Sequence, residues 1–289
     1  MKESIYVDYQ PASPVDSISY FIGIGVSQFK NPNLNLKYAV KDIRDLAKSF
    51  KAHNPNMIID TLIDKNVTRE NILKLKQKLL KTTVNDKVIL AISGHGFLSD
   101  SLDFYYGTWD IDPSKPEEHG LSYDELEWLL DSIPARKKLV LMDACHSGEV
   151  DKDEITDTDN KSAMGNGVVA RKGSKGVSVL QSDKSIGLQN SFELMQELFT
   201  NLSKGNGAFV ISAAGGMQYA YEGEQWKNGV FSYAVMKGTK EGAADKNNDK
   251  IISVNELQDY VLNEVEKLTN GHQKPTVRQE SLEADWRVW

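Results

Sequence analysis

Residues 87–96 read KVILAISGHG. The stretch from Val88 to Ile92 is an unbroken apolar run, which suits a strand buried on both faces of a parallel sheet, and it gives way to Ser93-Gly94-His95-Gly96. Residues 138–148, KLVLMDACHSG, repeat the design: an apolar run over Lys138–Met142, then Asp143-Ala144-Cys145-His146-Ser147-Gly148. Two more runs lie upstream, Ile18–Val26 and Met57–Ile63. Between those two, Leu36, Ala39, Val40, Ile43, Leu46, Ala47 and Phe50 recur at helical spacing and predict a helix over Asn35–Phe50. Thr68 is placed to cap a helix whose stripe is Ile72, Leu75, Leu79 and Leu80. Phe104–Trp109 reads as a hairpin arm, and Ser122-x-x-Glu125 as a capping box before a short helix. Downstream, a strand is expected at Ala208–Ala213, with helices near Ser191–Ser203, Gly229–Glu241 and Ser253–Leu268. Strands alternating with helices at these intervals predict crossover units and an α/β fold around a mostly parallel sheet.

The chain has 289 residues, 40% hydrophobic and 26% charged, which excludes collagen-like, mucin-like and wholly disordered classes. Residues 1–17, with Pro11 and Pro14, read as a loose N-terminal arm, and residues 18–289 as one domain. The alternation breaks at Glu149: across 149–190 Asp, Lys, Gly and Ser dominate and no apolar period survives, predicting a long exposed loop. The net charge of −7 argues against nucleic acid as the main partner and leaves a cationic peptide open. Cys145 is the only cysteine, so neither an intramolecular disulfide nor a Cys-rich zinc site can form. No apolar run approaches the roughly 18 residues that span a bilayer, and the N-terminus lacks the apolar core of a signal peptide. No membrane association and a cytoplasmic location are therefore expected.

In a parallel sheet the carboxyl ends of the strands form the edge where ligands bind. If the two glycine-flanked strands are neighbours, His95 and Cys145 meet across one crevice, as imidazole-assisted thiolate attack on a carbonyl requires. The glycines let backbone approach a substrate and can present N–H groups to a developing oxyanion. A lone cysteine is more often a small core residue, and a lone histidine a satisfied hydrogen-bonding one. Their joint position at matching strand ends reverses that reading. His146 adjoins the nucleophile, but neighbouring residues of an extended chain point to opposite sides, which disfavours it as the base.

SGHG at 93–96 with DACHSG at 143–148 resembles the caspase-like cysteine peptidases, especially metacaspases and their bacterial relatives. The pair is about 50 residues apart, the separation at which caspases carry theirs. The stretches FIGIGVSQFKNPNLNLKYAVKDIRDL, NGVFSYAVMKGTKEGAAD and QKPTV are similar to the same family, so the resemblance runs from about residue 18 to 280. It implies a caspase-hemoglobinase fold, a three-layer sandwich on an about six-stranded sheet, and peptide-bond hydrolysis without a cofactor. It further implies Cys145 as nucleophile, His95 as general base, and the N–H groups of Gly96 and Cys145 as oxyanion hole.

Asp143 is the specificity clue, because a buried carboxylate needs a reason. It is either a hydrogen-bonded turn carboxylate or the floor of an acidic pocket for the residue before the scissile bond. Metacaspases resemble this sequence here and prefer Arg or Lys, whereas caspases read QAC and prefer Asp. Asp42 falls where the family places a second pocket carboxylate, with Asp45 on the same helix as the fallback; two carboxylates suit a guanidinium fork. The 149–190 loop lies where related peptidases separate their two halves, and cutting it is an expected activation step. Arg171, Lys172 and Lys175 would serve a basic-specific enzyme, and Asp151–Asp159 an aspartate-specific one. Protein or peptide substrates with basic residues are the expected partners, with any upstream activator acting in trans. The alternatives are an Asp-specific peptidase and a non-catalytic adaptor on the same fold. Finally, Asp245, Asn247, Asp249, Ser253 and Glu256, with the Ile251 carbonyl, fall on the ligand positions of a calcium loop. Lys250 stands where that loop wants glycine, and Ser253-x-x-Glu256 equally caps a helix.

Overall fold

The apolar runs at Ile18–Val26, Lys87–Ser93 and Lys138–Met142 each lie between two neighbours that take up their backbone N–H and C=O groups, Met57–Ile63 lies at the sheet edge, and a mostly parallel sheet results. A computed structural model describes residues 16–99, 101, 103–146, 168–170, 207–213, 220–278 and 285–288. In chain order the first half holds β1 (Ser19–Gly25), α1 (Ala39–His53), β2 (Ile58–Ile63), α2 (Arg69–Lys74), α3 (Lys76–Leu79), β3 (Lys87–Leu98) and β4 (Phe104–Tyr106). There follow α4 (Pro116–His119), β5 (Leu121–Ser122), α5 (Tyr123–Leu130), β6 (Lys137–His146) and β7 (Val168–Ala170). The remainder is β8 (Phe209–Ser212), β9 (Tyr221–Gly223), β10 (Asn228–Gly229), α6 (Val230–Lys240), α7 (Val254–Leu268) and β11 (Thr276–Arg278).

The main sheet runs β11-β8-β6-β3-β1-β2, parallel except for β11 at its edge, while β4 and β5 extend it from the far end of β3. Strand periodicity divides the core in two. Phe21, Ile89, Leu139, Leu141 and Ile211 face α1, α6 and α7, meeting Ile43, Phe50, Phe231, Val235 and Val261. Ile22, Ile24, Val88, Leu90, Val140 and Met142 face α2, α3 and α5, meeting Ile72, Leu79, Leu126 and Leu129. The α/β fold with a mostly parallel sheet expected from the alternation of elements, and the three layers implied by the family resemblance, are thus the ones observed. A second small sheet, β10-β9-β7, is antiparallel throughout.

Four details depart from the sequence reading. β3 does not stop at Ser93 but continues through His95 to Leu98, because β4 pairs with it on one side and β6 on the other. Gly94 is needed there for packing: a Cβ would lie 2.9 Å from the Tyr106 hydroxyl and 3.0 Å from its ring. Helix α1 begins at Ala39 rather than Asn35, since Asn31 caps a short 3-10 turn at Pro32–Leu34 and the Asn35 side chain accepts the Phe29 N–H at 2.8 Å. Leu80, placed on the buried stripe, is 43% exposed, one residue beyond the end of α3. Within the stretch read as a loop, Val168–Ala170 forms a strand on β9. The predicted caps hold: Thr68 accepts from the Asn71 N–H, and Ser122 and Glu125 form a reciprocal box. Residues 1–15 of the arm expected at 1–17, most of 149–190 and the helix expected at Ser191–Ser203 lie outside the described residues. Among the described residues no helix is long and apolar enough to cross a membrane.

Candidate active site

The β3–β6 ladder brings the two chemical motifs side by side. Lys87 pairs with Lys137 at its start, and every residue in step thereafter, so Ser93 stands opposite Asp143, His95 opposite Cys145 and Gly96 opposite His146. Adjacent strands lie about 4.8 Å apart, so the backbones of His95 and Cys145 are direct neighbours. The side chain of Cys145 lies outside the described residues.

His95 is 1% exposed, and its ring centroid lies 5.4 Å from that of Phe29 and 5.9 Å from that of Phe97. Its Nε2 is 2.9 Å from the Leu34 carbonyl oxygen. A carbonyl only accepts, so Nε2 carries the hydrogen and Nδ1 is the nitrogen that can take up a proton. The loop presenting Leu34 is fixed on its N-terminal side by two elements, and beyond Leu34 the Leu36 N–H closes it onto the Ser27 carbonyl at 2.9 Å. Asp64 accepts the N–H groups of Ser27 and Gln28, each at 2.9 Å, and Lys30 N–H reaches the Trp109 carbonyl at 2.8 Å.

Asp42 and Asp143, paired by sequence reasoning, are brought to one neighbourhood through Ser93. The Ser93 hydroxyl donates to Asp42 Oδ2 at 3.3 Å, while Ser93 itself is the ladder partner of Asp143. Asp42 Oδ1 also accepts from Asn228 Nδ2 at 2.9 Å and from the Gly229 N–H at 3.0 Å. Asp143 Oδ2 accepts from the Ser232 hydroxyl at 2.7 Å. Both carboxylates are buried. Asp45 is different: it is partly exposed and paired with Lys41 and, at 3.9 Å, with Lys48. The fallback residue therefore sits on the solvent side of α1, and Asp42 faces the sheet. Sequence reasoning overlooked Ser93, Asn228, Ser232 and the Leu34 carbonyl. Ser93 alone carried a signal, lying two residues before His95 on the same strand; the others come from distant parts of the chain.

The candidate cleavage residues Arg171, Lys172 and Lys175 lie outside the described residues, directly after β7 in the chain. In the calcium-like loop, Ser253 and Glu256 form the capping box of α7. Asp245 accepts the N–H groups of Asp249 and Lys250, Asn247 accepts that of Asp249, and Asp249 accepts that of Ile251. Lys250 has φ +66°, the left-handed turn for which glycine is preferred. Among the described residues no group of three or more His, Cys, Asp or Glu side chains converges as a metal site.

No curated protein sequence matches the chain. A crystallographically solved protein from Geobacter sulfurreducens, 17% identical, is similar over 91% of this chain and 95% of its own, with a TM-score of 0.59; at that identity the likeness speaks for the fold. The family model described as "Caspase domain" matches residues 22–286. A match of that length decides membership: the chain belongs to the caspase domain family of cysteine peptidases.

Proposed function

We propose that this protein is an endopeptidase in which Cys145 is the nucleophile and His95 the base, cleaving after Arg or Lys. The observation that carries the proposal is the ladder register that sets His95 opposite Cys145. With Nε2–H held by the Leu34 carbonyl, the thiol proton passes to Nδ1 and the thiolate attacks the scissile carbonyl carbon. The oxyanion takes hydrogen bonds from the N–H groups of Gly96 and Cys145. The imidazolium then returns its proton to the leaving amine as the C–N bond breaks, leaving a thioester. Water attacks the thioester as Nδ1 takes its proton, and that proton passes to the leaving sulfur as the C–S bond breaks, releasing the new carboxylic acid and restoring the thiol and neutral imidazole.

The preference for a basic residue rests on Asp42 and Asp143, two buried carboxylates within one side chain of the His95 strand. Arginine offers a planar fork that engages such a pair. Activation by a cut after Arg171 or Lys172, with Lys175 third, is supported by β7. That strand pairs with β9, whose other neighbour β10 supplies the donors to Asp42, and Arg171 follows β7 directly. Intact-mass spectrometry of purified protein, with fluorogenic Arg- and Asp-ended peptides assayed alongside, tests the whole reading. Wild type should cut itself in the basic stretch and hydrolyse the Arg peptide, while Cys145→Ala and His95→Ala should do neither. Self-cleavage within Asp151–Asp159, or an active Cys145→Ala protein, would sink it.

A further inference from the structure

The two pocket carboxylates are each gripped by the same short segment, and that segment lies beyond the 149–190 stretch in the chain. Asn228 and Gly229 of β10 hold Asp42, and Ser232, one turn into α6, holds Asp143. Asn228 is 4% exposed and is oriented by charge on both sides of its amide. Its Nδ2 faces Asp42 at 2.9 Å and Asp45 at 3.4 Å, and its Oδ1 accepts from Lys41 Nζ at 3.1 Å. Reversing the amide would set its oxygen against two carboxylates and its NH2 against an ammonium, so one orientation is enforced. Ser232 is fully buried, and its hydroxyl makes a short contact with Asp143 from the helix that covers this face of the sheet. Nothing in ordinary core packing calls for a serine there: alanine fills the space without a polar group to satisfy and is the better helix former.

We propose that Asn228 and Ser232 are positioning residues for substrate selection: they fix the orientation of Asp42 and Asp143 so that the pair recognises a cationic side chain. The proposal rests on the pocket reading given above and assigns it two residues that touch the carboxylates rather than the substrate. A neutral donor serves this purpose better than a lysine or arginine would, because it orients a carboxylate without cancelling the negative charge that attracts the substrate.

The test compares paired peptides ending in arginine or in citrulline, its neutral isostere, on the full-length protein. Ser232→Ala and Asn228→Ala should each lower the arginine-to-citrulline ratio of kcat/KM about ten-fold, the scale of one charge-assisted hydrogen bond, and mainly through KM for the arginine peptide. A merely structural role would depress hydrolysis of both peptides together and leave the ratio unchanged, and that result would overturn the assignment. Thermal melting runs alongside, and Ser232→Gly, which also lacks the hydroxyl, should repeat the change in ratio if the hydroxyl is its source. The two levels of the reading separate cleanly. A wild type indifferent to the charge overturns pocket and positioning together, whereas a wild type that prefers arginine, with both variants unchanged in ratio, overturns the positioning alone.

Discussion

The β3–β6 ladder has ionisable side chains at both of its ends, and the two ends treat them in opposite ways. At the carboxyl end, Asp143 is next to Ser93 and accepts from Ser232, and Asp42 accepts from three donors on two separate segments, β3 and β10. At the amino end cations crowd together: Lys87 is the ladder partner of Lys137, and Arg287 lies near. Burial, with Lys137 and Arg287 adding repulsion, lowers the Lys87 pKa to about 8. Lys138 and Lys76, both buried, are likewise lowered, first by burial and then with a partial offset from Asp131. The lysines at the amino end carry a cost of burial, although the Asp86 carboxylate beside them accepts the Ile18 and Thr83 N–H groups, while at the carboxyl end both carboxylates are oriented by donors from other elements. That asymmetry matches the rule that ligands meet parallel sheets at the carboxyl ends of their strands.

The largest expected effect belongs to the carboxyl end. Asp143→Ala or Asp42→Ala should reduce kcat/KM on an arginine peptide by about 1.4–4 kcal/mol in transition-state terms, while peptides with a neutral residue there lose far less. If arginine and neutral peptides fall equally, these carboxylates are scaffolding and the contrast between the two ends disappears.

At the amino end the expected effect is smaller and of opposite sign. A lysine whose folded pKa lies below its unfolded value is charged in both states below about pH 8, where the full cost of burial is felt. Between there and the unfolded lysine pKa the folded protein gives up its proton first, so stability from this group rises with pH. Lys87→Met should therefore raise the melting temperature at pH 7 by a few degrees, offset in part by the lost 2.7 Å bond to the Arg287 carbonyl, and the gain should shrink towards pH 10. A lower melting temperature at pH 7 would show that the hydrogen bond outweighs the burial.

The smallest effect is expected in the third charged region, the exposed loop from Asp245 to Glu256. Its carboxylates turn back onto the loop's own N–H groups, as short polar side chains do in turns. Asp245→Ala should change the melting temperature by a degree or two in chelator. Calorimetry with calcium on wild type, Asp245→Ala and Glu256→Gln separates the two readings of the loop: heat of binding in wild type alone marks a metal site, and its absence in all three leaves the helix cap.

Much of this was legible locally because the local signals agreed with one another. The runs Lys87–Ser93 and Lys138–Met142 are apolar at every interior position, which only a doubly covered strand satisfies, and Thr68, Ser122 and Ser253 cap helices by contacts with residues three positions on. Such features depend on neighbours in the chain, and the chain itself carries them. The approach of His95 to Cys145 needed more. Sequence indicated two strand ends and the resemblance supplied the pairing, but a shift of register by one residue would have set His95 against Ala144 or His146. Only the ladder, locked by the alternating core on its two faces, chose Cys145. The extension of β3 past Gly94 was equally invisible, because it depends on Tyr106 filling the space where a Cβ would stand. Most remote of all are Asn228 and Ser232, which no spacing connects to Asp42 and Asp143 across 186 and 89 residues. A hydrogen bond between residues so far apart exists because β10 and α6 are packed on the sheet by apolar side chains elsewhere, and tertiary structure alone decides which donor meets which carboxylate.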